Sequence, residues 1–150
     1  NILLYNPSII KANIEEMGKI LGSPLIGVPE LLEAPDDESL YELLDKCNEL
    51  YTYKSKLNVL TLAEYGALGF NKKGSYYAVL RLEHTPYTIG CGDAFLGGLL
   101  AGLEQNFSDE DCLRLATACG AANTQTDGPG ILKKADVDAF YPKVKIKRLK

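Results

Sequence analysis

Strand-like segments alternate with helical segments along this chain, and that alternation limits its fold more than any other feature. Ser8 to Ile10 predict a short buried strand that ends in a polar turn at Lys11 to Asn13, and Ile14 to Leu21 predict a helix that Gly22 closes. An apolar run at Leu57 to Leu62 predicts another strand. We therefore expect an α/β fold with a mostly parallel sheet flanked by helices.

A second helix and a β-hairpin are predicted in the first half of the chain. Acidic residues at Asp36 to Glu38 suit a helix N-terminus. The apolar stripe that follows has helical spacing and consists of Leu40, Leu43, Leu44, Cys47 and Leu50. Further on, a polar loop that contains glycine separates the strand-like runs Gly66 to Phe70 and Ser75 to Leu82, which predicts a hairpin.

The second half begins with a helix of small residues and leucine, from Cys91 to Gln105. We expect this helix to be buried, with a face that approaches another backbone closely, made of Gly97, Gly98, Ala101 and Gly102. Ser108 and Asp111 form a loose capping box for the next helix. The apolar face of that helix is predicted to contain Cys112, Leu115, Ala116, Cys119 and Ala122. The tail from Val144 to Leu149 alternates apolar and basic residues, which predicts an amphipathic strand or an ordered tail.

Composition excludes several classes of protein. The chain has 150 residues, 46% of them hydrophobic, and a formal net charge of -4, which is typical of one globular domain and not of a disordered chain. It lacks the basic excess of a protein that binds nucleic acid, and its apolar runs are too short to cross a bilayer, so we expect a cytoplasmic protein. The four cysteines are expected to be buried free thiols, and without closely spaced ligands no zinc site is expected.

The segment from Thr88 to Phe95 carries residues suited to chemistry. Gly90, Cys91 and Gly92 precede the small-residue helix, where unpaired N–H groups and the positive end of the helix dipole can hold a phosphate. Asp93 beside such a cradle is suited to proton transfer, although an ordinary capping aspartate at a glycine turn fits the spacing equally well. The segment has no Walker A pattern, and a phenylalanine replaces the third glycine of the dinucleotide-binding motif.

In four ordered blocks the chain resembles the ribokinase-like, phosphofructokinase B type family of carbohydrate kinases. The blocks are Lys11 to Glu16, Thr61 to Ala67, Thr88 to Asp93, and Gly120 to Asn123 with Gly128 to Gly130. The last block is most like the branch that contains 1-phosphofructokinase and tagatose-6-phosphate kinase. The resemblance implies a three-layer ribokinase-like fold, of which residues 1–150 would be the nucleotide-binding and catalytic C-terminal part.

The resemblance also implies a reaction and a role for each matching residue. The reaction would be ATP-dependent phosphorylation of a hydroxyl group on a sugar or sugar phosphate. Asp93 would be the general base and Gly90, Cys91 and Gly92 the anion hole. The resemblance assigns nucleotide binding to Thr61, Gly66 and Asn123, and Mg²⁺ binding, through water, to Asn13 and Glu16.

Departures from the family pattern leave an alternative open, which is a nucleotide-binding module without catalytic activity. Ala63 stands where the family has glycine, Tyr87 where it has Asn or Asp, and Ala12 where it has proline. Nothing in the sequence corresponds to the family's sugar-binding and lid part, so we expect the isolated fragment to be inactive. Its sheet would have an open strand edge, which would allow pairing with a second copy into a homodimer.

Overall fold

A computed structural model describes residues 2–25, 35–52 and 55–150, which form two compact units. Unit 1 consists of Asn1–Tyr77 with Lys147–Lys150, and unit 2 consists of Ala78–Ile146. The strands are β1 (Ile9–Asn13), β2 (Leu57–Thr61), β3 (Ala67–Asn71), β4 (Gly74–Val79) and β5 (Lys145–Arg148). The α-helices are α1 (Ile14–Leu21), α2 (Asp37–Lys46), α3 (Cys91–Glu104), α4 (Asp109–Asn123) and α5 (Lys134–Phe140). The expected α/β class is confirmed.

The five strands form one sheet in the order β1-β2-β3-β4-β5. Strand β1 runs parallel to β2, with Ile9 opposite Leu57 and Asn13 opposite Thr61, whereas β2 and β3 are antiparallel. The described sheet is therefore mixed rather than mostly parallel. The physical reason is that β2, β3 and β4 follow one another through short connections, and a connection that short reverses the chain direction.

The first strand is longer than predicted. The polar turn expected at Lys11 to Asn13 is wrong, because Lys11 and Ala12 pair with Val59 and Leu60 and so continue the extended ladder. The helix after it is confirmed: α1 ends at Gly22, whose φ of 70° is left-handed. The predicted stripe of the next helix is also confirmed, since Leu40, Leu43, Leu44, Cys47 and Leu50 are all buried.

In unit 2, helices α3 and α4 pack together through glycines of α3. A Cβ at Gly98 would lie 2.8 Å from the Sγ of Cys119, and one at Gly102 would lie 3.1 Å from the Cα of Cys112. Gly97, predicted on the same face, has nothing within 4 Å of its Cβ position. The prediction of a wholly buried helix is wrong, because only one face of α3 meets α4, and Leu100 on another face is 48% exposed.

The predicted cap of α4 and the predicted strand in the tail are confirmed, whereas Leu115 of the predicted apolar face of α4 is only half-buried. Ser108 caps α4 by accepting a hydrogen bond from the Asp111 N–H at 3.1 Å. The tail forms β5, and the apolar side chains on either side of it, Val144 and Leu149, are buried. Three of the free cysteines are buried, as expected, while Cys91 is half-buried. Among the described helices, none combines the length and the apolar composition that a bilayer crossing requires.

Candidate active site

The N-terminus of α3 is shaped by a glycine in a conformation that side chains disfavour. Gly90 is the N-cap and has a φ of 85°. A Cβ on Gly90 would lie 2.5 Å from the Cα of Pro129 and 2.6 Å from the N of Gly130, closer than atoms can approach. Both the backbone conformation and the contact with the Pro129–Gly130 loop therefore require glycine at this position.

Three backbone amides at this turn are available to a ligand. The N–H groups of Asp93 and Ala94 donate to the carbonyl of Gly90 at 3.1 and 2.9 Å, which closes the first turn of the helix. The N–H groups of Gly90, Cys91 and Gly92 donate to no acceptor within the residues that the structure describes. Gly92 and Asp93 are exposed. Asp93 is thus an exposed residue that directly follows the residues with free amides, at the positive end of the helix dipole.

Asn123, at the end of α4, is completely buried and joins the two loops that meet at Gly90. Its Nδ2 donates to the carbonyl of Ile89 at 2.9 Å and lies 3.4 Å from the Sγ of Cys91. Its Oδ1 accepts from the N–H of Gly130 at 2.8 Å. The carboxamide is therefore engaged inside unit 2, and a direct contact with a nucleotide would require these bonds to break.

A second set of contacts ties the segment before α3 to the end of α4. The N–H of Tyr87 donates to the carbonyl of Thr124 at 3.2 Å, and the thiol of Cys91 donates to the carbonyl of Tyr87 at 3.6 Å. Gln125 donates to the carbonyl of His84 at 2.9 Å. The segment before α3 is thus held at His84 and Tyr87 by the residues that follow α4.

In unit 1, the two residues assigned to Mg²⁺ form a capping box at the start of α1. Asn13 Oδ1 accepts from the Glu16 N–H at 2.9 Å, and Glu16 Oε2 accepts from the Asn13 N–H at 2.9 Å. Both residues are exposed. The capping role accounts for this spacing without any metal, but the second oxygen of the Glu16 carboxylate remains open to solvent, so the pair fits a hydrated cation held through water.

A cavity of about 730 Å³ opens between α1 and the end of β2. Its lining includes Asn13 and Thr61, which are opposite each other in the parallel β1–β2 pair, together with Ala63 and Lys19. Lys19 also donates to Glu15 at 2.6 Å and holds the pKa of that carboxyl below its usual range. This volume lies within the roughly 300–1,000 Å³ typical of small-molecule sites.

The turn after β2 contains a strained alanine. Ala63 has a φ of 52°, in the left-handed region where glycine is favoured, and its carbonyl accepts from the Gly66 N–H at 3.3 Å. Gly66 has a φ of 105°, and its carbonyl accepts a hydrogen bond from the Leu62 N–H at 2.8 Å. The hydroxyl of Tyr77 donates to the carbonyl of Tyr65, which fixes this turn to β4.

The structure groups the predicted site residues by unit. Unit 1 contains Asn13, Glu16, Thr61 and Gly66, of which Asn13 and Thr61 line the cavity; unit 2 contains Gly90, Cys91, Gly92, Asp93 and Asn123. Sequence reasoning missed the part that Pro129 plays against Gly90. The Gly-Pro-Gly run at 128–130 could have indicated this contact, because a loop rich in glycine allows another backbone to approach closely.

Comparison with known proteins identifies the family. The model of the pfkB family of carbohydrate kinases matches residues 2–135, and the chain belongs to that family. The resemblance to ribokinase-like carbohydrate kinases and the expected fold are thereby confirmed.

Curated relatives and solved structures agree on the fold. The ATP-dependent 6-phosphofructokinase isozyme 2 of Mycobacterium tuberculosis is 29% identical over 137 residues, which cover 89% of this chain and 36% of the relative. The 1-phosphofructokinase of Bacillus subtilis is 26% identical over 143 residues, which cover 95% of this chain and 43% of the relative. The structure of phosphofructokinase-2 from Escherichia coli in complex with potassium superposes with a TM-score of 0.77 at 25% identity, over 93% of this chain and 42% of that one. The chain thus spans less than half the length of these relatives.

Proposed function

We propose that this chain is the nucleotide-binding and catalytic part of an ATP-dependent kinase that phosphorylates a hydroxyl of a sugar or sugar phosphate. One observation carries the proposal: the exposed residue Asp93 directly follows three residues whose amides are unpartnered within the described part of the chain, at the N-terminus of α3. A module that only bound phosphate would gain nothing from a carboxylate at this place, since like charges repel. Membership of the pfkB family supports the same reaction class.

In this reaction Asp93 accepts the proton of the attacking hydroxyl. The hydroxyl oxygen forms a bond to the terminal phosphorus of ATP, the bond from that phosphorus to the bridging oxygen breaks, and ADP leaves with the electron pair. Charge on the transferred phosphoryl oxygens is stabilised by the N–H groups of Gly90, Cys91 and Gly92. Positioning and electrostatic stabilisation of this kind supply most of the rate enhancement in phosphoryl transfer.

The predicted site residues of unit 1 have, in our proposal, roles toward a nucleotide and a metal ion. We assign Thr61 and Gly66 to nucleotide binding, and Asn13 with Glu16 to Mg²⁺ held through water; Mg²⁺ would neutralise phosphate charge. The open oxygen of the Glu16 carboxylate supports this assignment. Because the carboxamide of Asn123 is buried and engaged, we assign it no contact with the nucleotide.

The sugar site and the lid belong, in our proposal, to sequence that these 150 residues do not include. The chain covers 36% and 43% of its two curated relatives named above. We therefore expect residues 1–150 alone to bind nucleotide without turning over sugar at a useful rate. A catalytically inactive nucleotide-binding module is the second candidate, which the strained Ala63 favours because its methyl group occupies a position that suits glycine.

A test separates these two candidates. ADP release is measured with the full-length protein that carries this chain, using fructose 1-phosphate, tagatose 6-phosphate and unphosphorylated sugars as acceptors. Asp93→Asn should lower kcat by roughly 10²- to 10⁴-fold while leaving the Kd for ADP within about threefold, because a general base acts on the transition state. Asp127→Asn, at an exposed aspartate in the same unit, is the matched control and should keep wild-type activity. Equal turnover by wild type and Asp93→Asn with every acceptor would refute the kinase proposal.

A further inference from the structure

We propose that Asn123 is a positioning residue, whose buried carboxamide holds the Gly90 turn against the Pro129–Gly130 loop and thereby fixes the direction of the anion-hole amides. The proposal differs from the nucleotide contact that the family resemblance implied for Asn123. Its structural part stands by itself, and only its consequence for ligand affinity rests on the proposed function.

The hydrogen bonds of Asn123 reach both loops from one side chain. Nδ2 donates to the Ile89 carbonyl at 2.9 Å, and Oδ1 accepts from the Gly130 N–H at 2.8 Å. Asn123 is 0% exposed, so water cannot replace either partner without a rearrangement of the fold. A buried polar group that loses its partner bears the full cost of desolvation, which makes this pair of bonds a specific constraint on the two loops.

The packing at Gly90 shows why such a constraint is needed. The position of a Cβ on Gly90 falls 2.5 Å from Pro129 Cα and 2.6 Å from Gly130 N, so the two backbones are in direct contact. Gly90 and Gly130 both have positive φ angles, of 85° and 72°, and glycine restrains its own backbone little. The conformation of this contact must therefore be set by a third group, and Asn123 is the side chain that bonds to both sides of it.

The same side chain borders the amides that would hold phosphate. Ile89 precedes Gly90, and Cys91, whose Sγ lies 3.4 Å from Asn123 Nδ2, follows it. Anchors on both sides of Gly90 fix the orientation of its peptide planes, and these planes carry the N–H groups of Gly90 and Cys91. Donors that are already oriented stabilise a developing anion without reorganisation, which is the source of their catalytic value.

The test compares Asn123→Asp with Asn58→Asp in the 150-residue chain. Asn123→Asp keeps an oxygen for the Gly130 N–H but places a carboxylate oxygen against the Ile89 carbonyl. Asn58 is the matched control because it is 1% exposed and its Nδ2 also donates to a backbone carbonyl, that of Phe70 at 3.3 Å, in unit 1. The readouts are the NMR order parameters of the Gly90 and Gly92 amides and the Kd for a non-hydrolysable ATP analogue measured by calorimetry.

We expect Asn123→Asp to lower the order parameters of Gly90 and Gly92 from about 0.85 to below about 0.6. We expect it to weaken binding of the ATP analogue, whose terminal phosphate these amides would hold, on the order of tenfold, as loss of a buried hydrogen bond predicts. Asn58→Asp should lower thermal stability and change neither readout. Asn123→Ser provides the same comparison if the aspartate variant does not fold.

Unchanged order parameters at Gly90 and Gly92 in the Asn123 variants would overturn the inference, as would an equal decrease in Asn58→Asp. A wild-type chain that does not bind the ATP analogue would instead count against the proposed function, and the order parameters would still decide the role of Asn123. The two proposals therefore fail through different measurements.

Discussion

Ala63 is strained at the place where the family has glycine. Its φ of 52° is left-handed, and that conformation costs an L-residue roughly 1–2 kcal/mol relative to glycine. Ala63→Gly should therefore raise the free energy of unfolding by up to about 1 kcal/mol. The gain is reduced because glycine increases the conformational entropy of the unfolded chain. Chemical denaturation followed by circular dichroism measures the change.

Ala135→Gly is the control for this substitution. Ala135 is exposed within α5, where the backbone is helical, so the same exchange should destabilise the protein by about 1 kcal/mol. If Ala63→Gly and Ala135→Gly changed the free energy of unfolding in the same direction, backbone strain at Ala63 would not explain the effect of Ala63→Gly.

Glu16 has a capping role that can be separated from its proposed role toward Mg²⁺. Glu16→Gln keeps a side-chain oxygen for the Asn13 N–H, so the free energy of unfolding should change by less than about 0.5 kcal/mol. The gain in ADP affinity on adding Mg²⁺ should fall roughly tenfold, since groups that orient a metal's ligands typically account for 10- to 100-fold in affinity. Calorimetric titrations with and without Mg²⁺ measure this gain.

The neighbouring carboxylate provides the control. Glu15→Gln removes an exposed ion pair with Lys19, which contributes little to stability, and should leave the Mg²⁺ effect intact. If Glu16→Gln also leaves the gain in ADP affinity on adding Mg²⁺ unchanged, the only role of Glu16 is to cap α1.

Some residues of the candidate site could be predicted from the sequence and others could not, for physical reasons. The glycine turn before α3, with Asp93 next to it in the chain, could be predicted because a glycine pair before a helix is a local pattern. The burial of Asn123 could not be predicted, because it depends on how the loop at Pro129 folds back. The Asn13 and Glu16 spacing was ambiguous from the start, since a capping box and a metal-associated pair have the same sequence pattern.

At the scale of elements, adjacent glycines of α3 have opposite environments. A Cβ at Gly98 would lie 2.8 Å from Cys119 Sγ and 3.0 Å from Ala116 Cα, whereas one at Gly97 would meet nothing within 4 Å. Gly98→Ala should therefore destabilise the protein by about 1–3 kcal/mol through overpacking. Gly97→Ala should stabilise it by about 0.5–1 kcal/mol, because alanine favours the helix.

Midpoints of urea denaturation for the two variants provide the measurement. Each variant is the control for the other, since both make the same chemical change in one helix. A stabilised Gly98→Ala would mean that α3 and α4 are further apart than the structure shows.

Helices were easier to predict than sheet pairing. The stripe from Leu40 to Leu50 repeats at helical spacing, so its burial followed from the sequence. The close approach of α3 to α4 also followed, but the choice of Gly98 and Gly102 over Gly97 depends on the position of α4. The hairpin of β3 and β4 was predicted, but the antiparallel pairing of β2 with β3 was missed, because an apolar run does not reveal which strand lies beside it.

At the scale of the whole molecule, the buried thiols make stability depend on pH. Burial raises the pKa of Cys47 to about 12 and that of Cys112 to about 11. An unfolded thiol has a pKa of about 8.5, so above this pH the unfolded chain loses protons that the folded chain keeps. The free energy of unfolding should therefore fall as pH rises from 8 to 9.5, by up to about 1.4 kcal/mol per pH unit for each such thiol at the upper end.

Denaturation curves at pH 8 and pH 9.5 measure this slope. Cys47→Ala should reduce the pH dependence of the free energy of unfolding by the contribution of one thiol. It should also lower stability at pH 8, because packing in the core is lost. The same slope in wild type and Cys47→Ala would contradict the assignment.

Unit 1 is discontinuous in sequence, because Lys147–Lys150 return to it after all of unit 2. The N–H of Leu149 donates to the carbonyl of Ser75 at 2.8 Å, and the hydroxyl of Tyr41 donates to the carbonyl of Leu149 at 2.6 Å. During translation, unit 2 has therefore left the ribosome before unit 1 can complete its sheet. Until then the nascent chain exposes the edge of β4, so the speed of synthesis through residues 78–146 sets how long that edge is open to wrong partners.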